Sequence, residues 1–402
     1  MKCTTQYVFR ALVILSAFSI LQGCGRTRMS FENLDAGVAG LGETTNSNLT
    51  CIKEHYVQPN QELTKKLDIL FVTDTSGSLD TERSAIATGI GNFISQLSTS
   101  ADYQIAVTLA HGPKSSRYGQ LYKAGTEPVV LRSKELSVSN IRSYLSKKLT
   151  SIQTDSDTDG GEAGLLSLNK ALDATRLEEI RTQHSFFRKD AALAIVFVSD
   201  ENDICAVYPT GVTRVYDPEG KEIPAFNNYC KNKVDAHTVY DRLIAVQGVN
   251  PLLLSAIVYS NKATVTHSGE NEFGYGYSDI VSLGNGKMVD IAANDIPAGL
   301  ADIGKAAALK MTLRTDYILS YLHVDKTTIT AEVDGVKAQY SFNESKNLLR
   351  LLSNTGRADS NVVLSYCLDK NAEVKQITTA PMSKMVQDNP QSFIPRIEIV
   401  KK

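Results

Sequence analysis

Apolar residues follow two rhythms over most of the chain. Leu67 to Val72 is a short, nearly continuous apolar run, the pattern of a strand buried on both faces. Ile86, Ile90, Phe93, Ile94 and Leu97 then recur at helical spacing. Tyr103 to Ala110 alternates as a strand, and Gln120 to Leu131 predicts an edge hairpin. Helical spacing returns in Ile141 to Leu149, and again in Leu165, Leu168 and Leu172. Ala194 to Val198 is a second fully apolar run and Leu253 to Tyr259 a third. Between them Val239, Leu243 and Val246 predict a helix stopped by Gly248. Lys287 to Ile291 is a shorter strand, and Pro297 opens a last helix through Leu309. Strands alternating with helices predict a Rossmann-like α/β fold, a central, mostly parallel sheet flanked by helices.

After about residue 311 the rhythm changes. Ile329, Ala331 and Val333 alternate, Asp334-Gly335 follows, and Val336, Ala338 and Tyr340 alternate again, a strong hairpin signal. Asn361 to Tyr366 is another strand. The chain therefore divides into a leader (1–23), a flexible tether (24–60), an α/β domain (61–310), a small C-terminal β module (311–372) and an irregular tail (373–402). The tether is assigned because its residues are rich in Gly, Asn, Thr and Gln with few apolar clusters.

The leader changes the picture of location. Lys2 and Arg10 precede an apolar run from Ala11 to Leu21, too short to span a bilayer and laid out as a secretory signal. It ends in Leu21-Gln22-Gly23-Cys24, which resembles a bacterial lipobox. That resemblance implies cleavage before Cys24, lipid on its sulfur, and a place in the bacterial cell envelope. Gly25, rather than Asp, favours the outer membrane on the same analogy. In an oxidising compartment Cys51, Cys205, Cys230 and Cys367 predict two disulfides. Of the three pairings, Cys205–Cys230 closes a local loop and Cys51–Cys367 ties distant segments, and these are preferred. A net charge of −2 offers nothing to nucleic acid, and the absence of Trp argues weakly against a stacking platform.

The first apolar strand runs directly into Asp74-Thr75-Ser76-Gly77-Ser78. Open α/β sheets bind ligands at the carboxyl ends of their strands. Asp-x-Ser-x-Ser at that place, before an amphipathic helix, resembles the metal-ion-dependent adhesion site of the von Willebrand factor type A family, over about residues 63–310. The resemblance implies three ligand loops: Asp74, Ser76 and Ser78; Thr158, just before a helix; and Asp200, at the end of Phe197-Val198-Ser199-Asp200. Thr154 lies close enough to compete with Thr158. Hydroxyl and carboxylate oxygens suit Mg²⁺, or Mn²⁺ or Ca²⁺. In the family an acidic side chain of a protein partner completes the ion's coordination. Glu162, Glu201 and Asp203 are candidate bracing or partner-contacting residues. Asp155 to Gly160 matches the start of an EF-hand loop, but its twelfth position is Leu166 and not Glu, so an EF-hand is rejected.

Residues 201–233 form a long insertion at the metal edge, with Tyr208, Tyr216 and Tyr229 between the two cysteines' surroundings. Three functions compete. The first is a metal-dependent adhesin or scaffold, the second an envelope assembly or structural lipoprotein with one dedicated partner, and the third a metal-dependent hydrolase. No Gly-x-Ser-x-Gly, His-Glu-x-x-His or Walker loop occurs, and the six histidines are scattered, so a non-enzymatic binder is expected.

Overall fold

A computed structural model of the chain describes residues 49–401 except 61–62, 153–160, 214–215, 217–222, 231–232, 249, 267–270, 285, 294 and 370–389. The leader, Cys24, most of the tether, Thr154 and Thr158 lie outside the described residues. Among the described residues no helix is long and apolar enough to cross a membrane.

The chain enters through β1 (Thr50–Val57) and then builds β2 (Lys66–Thr73), α1 (Asp80–Ser95), β3 (Asp102–Leu109), β4 (Leu131–Arg132), α2 (Val138–Thr150), α3 (Gly164–Ala171) and α4 (Ala174–His184). There follow β5 (Ala192–Val198), the single turn α5 (Ile223–Ala225), α6 (Ala236–Gln247), β6 (Leu252–Val258), α7 (Tyr277–Leu283), β7 (Lys287–Asp290) and α8 (Ile296–Thr312). The six-stranded sheet has the order β4-β3-β2-β5-β6-β7. Every pairing in it is parallel except that of β4 with β3.

Alternate side chains of one strand feed two cores, as the period of two demands. Leu67, Ile69 and Phe71 of β2 pack with Ile86 and Phe93 of α1, Ile141 of α2 and Leu300 of α8. Leu70 and Val72 of the same strand pack with Leu168 of α3, Val239 of α6 and Ile280 of α7 on the other face. Burial of each such side chain contributes about 1.5–3 kcal/mol. Helix ends follow the residues expected of them. Asp235 caps α6 by accepting from Thr238 N at 3.1 Å, and Gly248 ends it at φ 58°. Asp295 caps α8, with Pro297 in its first turn. The segment expected as an edge hairpin is different. Only Leu131–Arg132 pairs as a strand, with one further bridge from Thr108 to Leu121. Between them the buried Glu127 side chain folds the chain inward by accepting from the Gly125 N–H at 3.0 Å.

The β module comprises β8 (Asp316–Ile318), β9 (Val324–Val333), β10 (Val336–Lys337), β11 (Tyr340–Asn343), β12 (Leu348–Leu351), β13 (Asn361–Leu368), α9 (Pro390–Phe393) and β14 (Arg396–Lys401). Its sheets run β10-β9-β13-β1-β14 and β11-β12-β8, and they share one apolar core. Asp334 and Gly335 turn the β9–β10 hairpin with φ of 51° and 78°, both in the left-handed region that this tight turn requires. The hairpin is shorter than the alternation implied, because Tyr340 crosses to the second sheet and pairs with Leu351.

Two boundaries differ from the sequence reading. Residues 50–57, placed in the tether, form β1, an interior strand of the larger module sheet between β13 and β14, and residues 396–401, placed in the irregular tail, form its edge strand β14. The α/β domain is thus inserted into the β module after its first strand. Glu54 hid β1, because a carboxylate sits where the alternation needs an apolar residue. Glu54 is fully buried, and accepts from the hydroxyls of Tyr56 and Tyr366 and from Ser320 N. Those three donors offset its desolvation. Glu54→Ala should lower stability by about 3 kcal/mol in urea unfolding, because it strands two hydroxyls and an N–H. Both preferred disulfides are present, Cys51–Cys367 between directly paired positions of β1 and β13, and Cys205–Cys230 within the insertion.

Candidate metal centre

The centre lies where β2 and β5 end, side by side. Asp74 continues the β2 pairing by donating its N–H to the Val198 carbonyl at 2.9 Å. Its carboxylate is fully buried and fixed by two donors, Ser76 N at 2.6 Å and Ser199 Oγ at 2.7 Å. That turn brings the Ser76 and Ser78 hydroxyls within 3.0 Å of each other. Arg83 of α1 is committed elsewhere, to the Asp74 carbonyl and the Asp80 carboxylate.

Asp200 follows β5 and is 1% exposed. Both of its carboxylate oxygens are buried, with the Ser78 hydroxyl near them but no close hydrogen bond among the described residues. Burial, then the nearby Asp74 charge, push its carboxyl up to about 8, against the pull of the Ser78 hydroxyl. The Asp74 carboxyl is also raised by burial, although the Ser199 and Ser76 donors oppose this. Glu82, in the first turn of α1, adds to the repulsion on Asp200, and its own Oε2 is buried without a partner among the described residues. Sequence reasoning missed Glu82, because an acidic residue in a first helical turn is ordinary.

This local excess of buried negative charge fits a cation. Unpaired carboxylate oxygens at Asp200 and Glu82, with two adjacent hydroxyls, make an oxygen-only donor set of the kind hard divalent ions prefer. Among the described residues no three His, Cys, Asp or Glu side chains gather as a conventional metal cluster. A cation here would therefore need the hydroxyls as well as the carboxylates.

The second loop reaches the centre at Gly161. Gly161 has φ 87°, and a Cβ there would sit 1.9 Å from Thr75 Oγ1. Thr75 Oγ1 is in turn 3.0 Å from His111 Nε2, whose Nδ1 is 2.8 Å from Ser115 Oγ. His111 is fully buried, so it braces the Asp74–Ser78 turn from behind. Gly161→Ala should destabilise the protein by about 2 kcal/mol, through its positive φ and displacement of Thr75. Thermal unfolding with and without Mg²⁺ should reveal both that loss and a weaker response to the ion.

The structure separates the three acidic bracing candidates. Asp203 is fully buried and its oxygens accept from Leu165 N at 2.6 Å and Cys205 N at 2.9 Å. It thus ties the insertion to the start of α3. Glu162 and Glu201 are also buried, and their backbone carbonyls accept from Ile204 N and Ser199 Oγ respectively.

No protein-family profile and no curated protein matches the chain. Several solved structures show loose likenesses to the chain. A von Willebrand factor type A protein from Catenulispora acidiphila is 12% identical, with 85% of this chain and 69% of that one covered, at a TM-score of 0.36. The pilus adhesin RrgA from Streptococcus pneumoniae is 11% identical, with coverages of 82% and 60% and a TM-score of 0.30. The adhesive tip pilin GBS104 from Group B Streptococcus agalactiae is 10% identical, with coverages of 90% and 89% and a TM-score of 0.31. This chain spans less than two thirds of the pneumococcal adhesin. Likenesses this loose transfer no function.

Around the centre, the loops after β3, β5 and β6 are joined by side chains. Lys114 lies over the Tyr229 ring at 5.8 Å, and Tyr208 packs on Tyr275 at 5.1 Å. Lys262 lies over Tyr275 at 5.0 Å. Tyr216 packs on Phe226 at 5.6 Å within the insertion.

Proposed function

We propose that the chain is a metal-dependent protein-binding lipoprotein of the bacterial cell envelope, an adhesin or scaffold and not an enzyme. Mg²⁺, or Mn²⁺ or Ca²⁺ in its place, would be held by Asp74, Ser76, Ser78 and Asp200, with Thr158 supplying a further hydroxyl. The observation that carries this reading is Asp200, whose two buried carboxylate oxygens take no close hydrogen bond among the described residues, beside the paired Ser76 and Ser78 hydroxyls. The bound ion supplies a Lewis-acidic position for an acidic side chain of the partner. The chain's own residues orient that position: Asp74 sets the serine turn, and Thr75 and His111 hold it from behind. Lipid on Cys24 would tether the domain to the outer membrane.

The insertion of residues 201–233 sets partner preference in this reading. Its tyrosines join the loops beside the centre, and tyrosine suits recognition surfaces. An array of acidic peptides paired with their amide counterparts tests the whole proposal. Retention in Mg²⁺ that is lost both in EDTA and on the Asn or Gln peptides is the expected result. Retention unaffected by EDTA would contradict it. Deleting residues 209–228 should change which peptides bind while leaving the Mg²⁺ dependence intact.

A further inference from the structure

The loop after β6 carries a cation that no carboxylate among the described residues neutralises. Lys262 is exposed, and its ammonium lies 5.0 Å from the centre of the Tyr275 ring and 5.5 Å from that of Phe273. It makes no ion pair among the described residues, whereas Lys287 and Lys305 of the same domain both pair with Asp302. Asp290, at the end of the adjacent β7, is committed to Thr264 Oγ1 at 2.9 Å and Ala292 N at 3.1 Å. Ring faces attract an ammonium without cancelling its charge, so Lys262 is oriented yet still available to an anion.

The rings beneath it are themselves held. Phe273 and Tyr275 pack edge to face with centroids 4.7 Å apart, and Tyr275 continues onto Tyr208 of the insertion at 5.1 Å. Backbone bonds key this shelf to the metal centre. β6 runs beside β5, whose end leads into Asp200. Beyond β6, the Gly274 N–H donates to the Tyr259 carbonyl at 3.0 Å, and the Glu272 N–H donates to the Asp200 carbonyl at 2.9 Å. Phe273 lies between those two anchors. One strand spacing, about 4.8 Å, plus the reach of a carboxylate and of a ring puts Lys262 about 10–15 Å from the cation position. An extended peptide advances about 3.3 Å per residue, so the gap corresponds to about three or four residues.

We propose that Lys262 is a second anchor for the partner, pairing with a carboxylate about three or four residues along from the one that completes the metal's coordination. The partner is then a protein segment with two acidic residues at that spacing, laid extended across the ends of β5 and β6. This rests on the metal-dependent binding proposed above, since the first carboxylate needs the cation.

Calorimetric titration of the full chain in Mg²⁺ with peptides acetyl-Glu-(Gly)n-Glu-amide, n running from zero to six, tests it beside the same series with one Glu replaced by Gln. Two equivalent acids give about a twofold gain on statistics alone. At n of two or three the two-acid peptide should bind about fivefold or more tighter than its one-acid counterpart, and at n of zero or six only about twofold tighter. Lys262→Gln should cut the larger gain to about twofold and Lys262→Arg should keep it, both with an unchanged unfolding midpoint because the side chain is exposed. A gain equal at every n, or one that survives Lys262→Gln, would overturn the second anchor and leave the metal reading standing. One-acid peptides that still bind in EDTA, or no peptide binding in Mg²⁺, would overturn the metal reading and this inference with it.

Discussion

Replacing Asp200 with Asn should stabilise the metal-free protein and at the same time abolish its response to Mg²⁺. An unfolded Asp titrates near 4, whereas the buried Asp200 carboxyl is pushed up to about 8. The folded state therefore holds this proton more tightly than the unfolded state does. Below about pH 4 both states are protonated and the group does not oppose folding. As pH rises from about 4 to 8 the metal-free fold loses stability, and above about 8 the loss is complete. Asn carries no such charge. At about pH 8 in EDTA, Asp200→Asn should exceed wild type by about 2–4 kcal/mol, less than the whole shift would give because Asp74 and Asp200 titrate together. The gap should close towards pH 4. Mg²⁺ should restore the wild type and leave the variant unmoved. Urea unfolding at both pH values, with EDTA and with Mg²⁺, checks all of this. A variant less stable than wild type in EDTA at high pH would mean that Asp200 is satisfied by protein groups and needs no ion.

Removing the Cys51–Cys367 bond should be the most destabilising change outside the centre. The bond spans 316 residues of sequence and encloses the whole α/β domain. In the chain-entropy account a loop this long restricts the unfolded state by about 5–6 kcal/mol. Cys51→Ser with Cys367→Ser should therefore lower stability by about 3–5 kcal/mol in denaturant titration, whereas loss of the 25-residue Cys205–Cys230 loop should cost about 3.5 kcal/mol at most. A loss below about 1 kcal/mol would imply that β1 holds its place beside β13 and β14 without the bond.

The parallel sheet was legible because strands buried on both faces write themselves as unbroken apolar runs, as Leu67–Val72 and Ala194–Val198 do. β1 was not, because Glu54 occupies an inward position and only the distant Tyr366 and Ser320 explain it. β14 is short and at an edge, with Ile397 alone packed against the core and Ile399 left 52% exposed. Helix α4 was missed for a similar reason, since it buries only Leu177 and Ile180. In the centre, Asp74, Ser76, Ser78 and Asp200 were legible from their spacing and their place at strand ends. Asp203 was legible as acidic but not as the tie to α3, which only the folded chain brings near. The shelf under Lys262 was out of reach altogether, since its rings come from the insertion and the loop after β6, which are distant in sequence.

The central claim is that the strand ends hold a divalent cation, and calorimetric titration of the full chain with Mg²⁺ and Mn²⁺, beside the Asp74→Ala, Ser76→Ala double variant, tests it most directly. Saturable one-site binding in the wild type and none in the folded variant is the predicted result, and equal heats from both proteins, or none from a folded wild type, would contradict it.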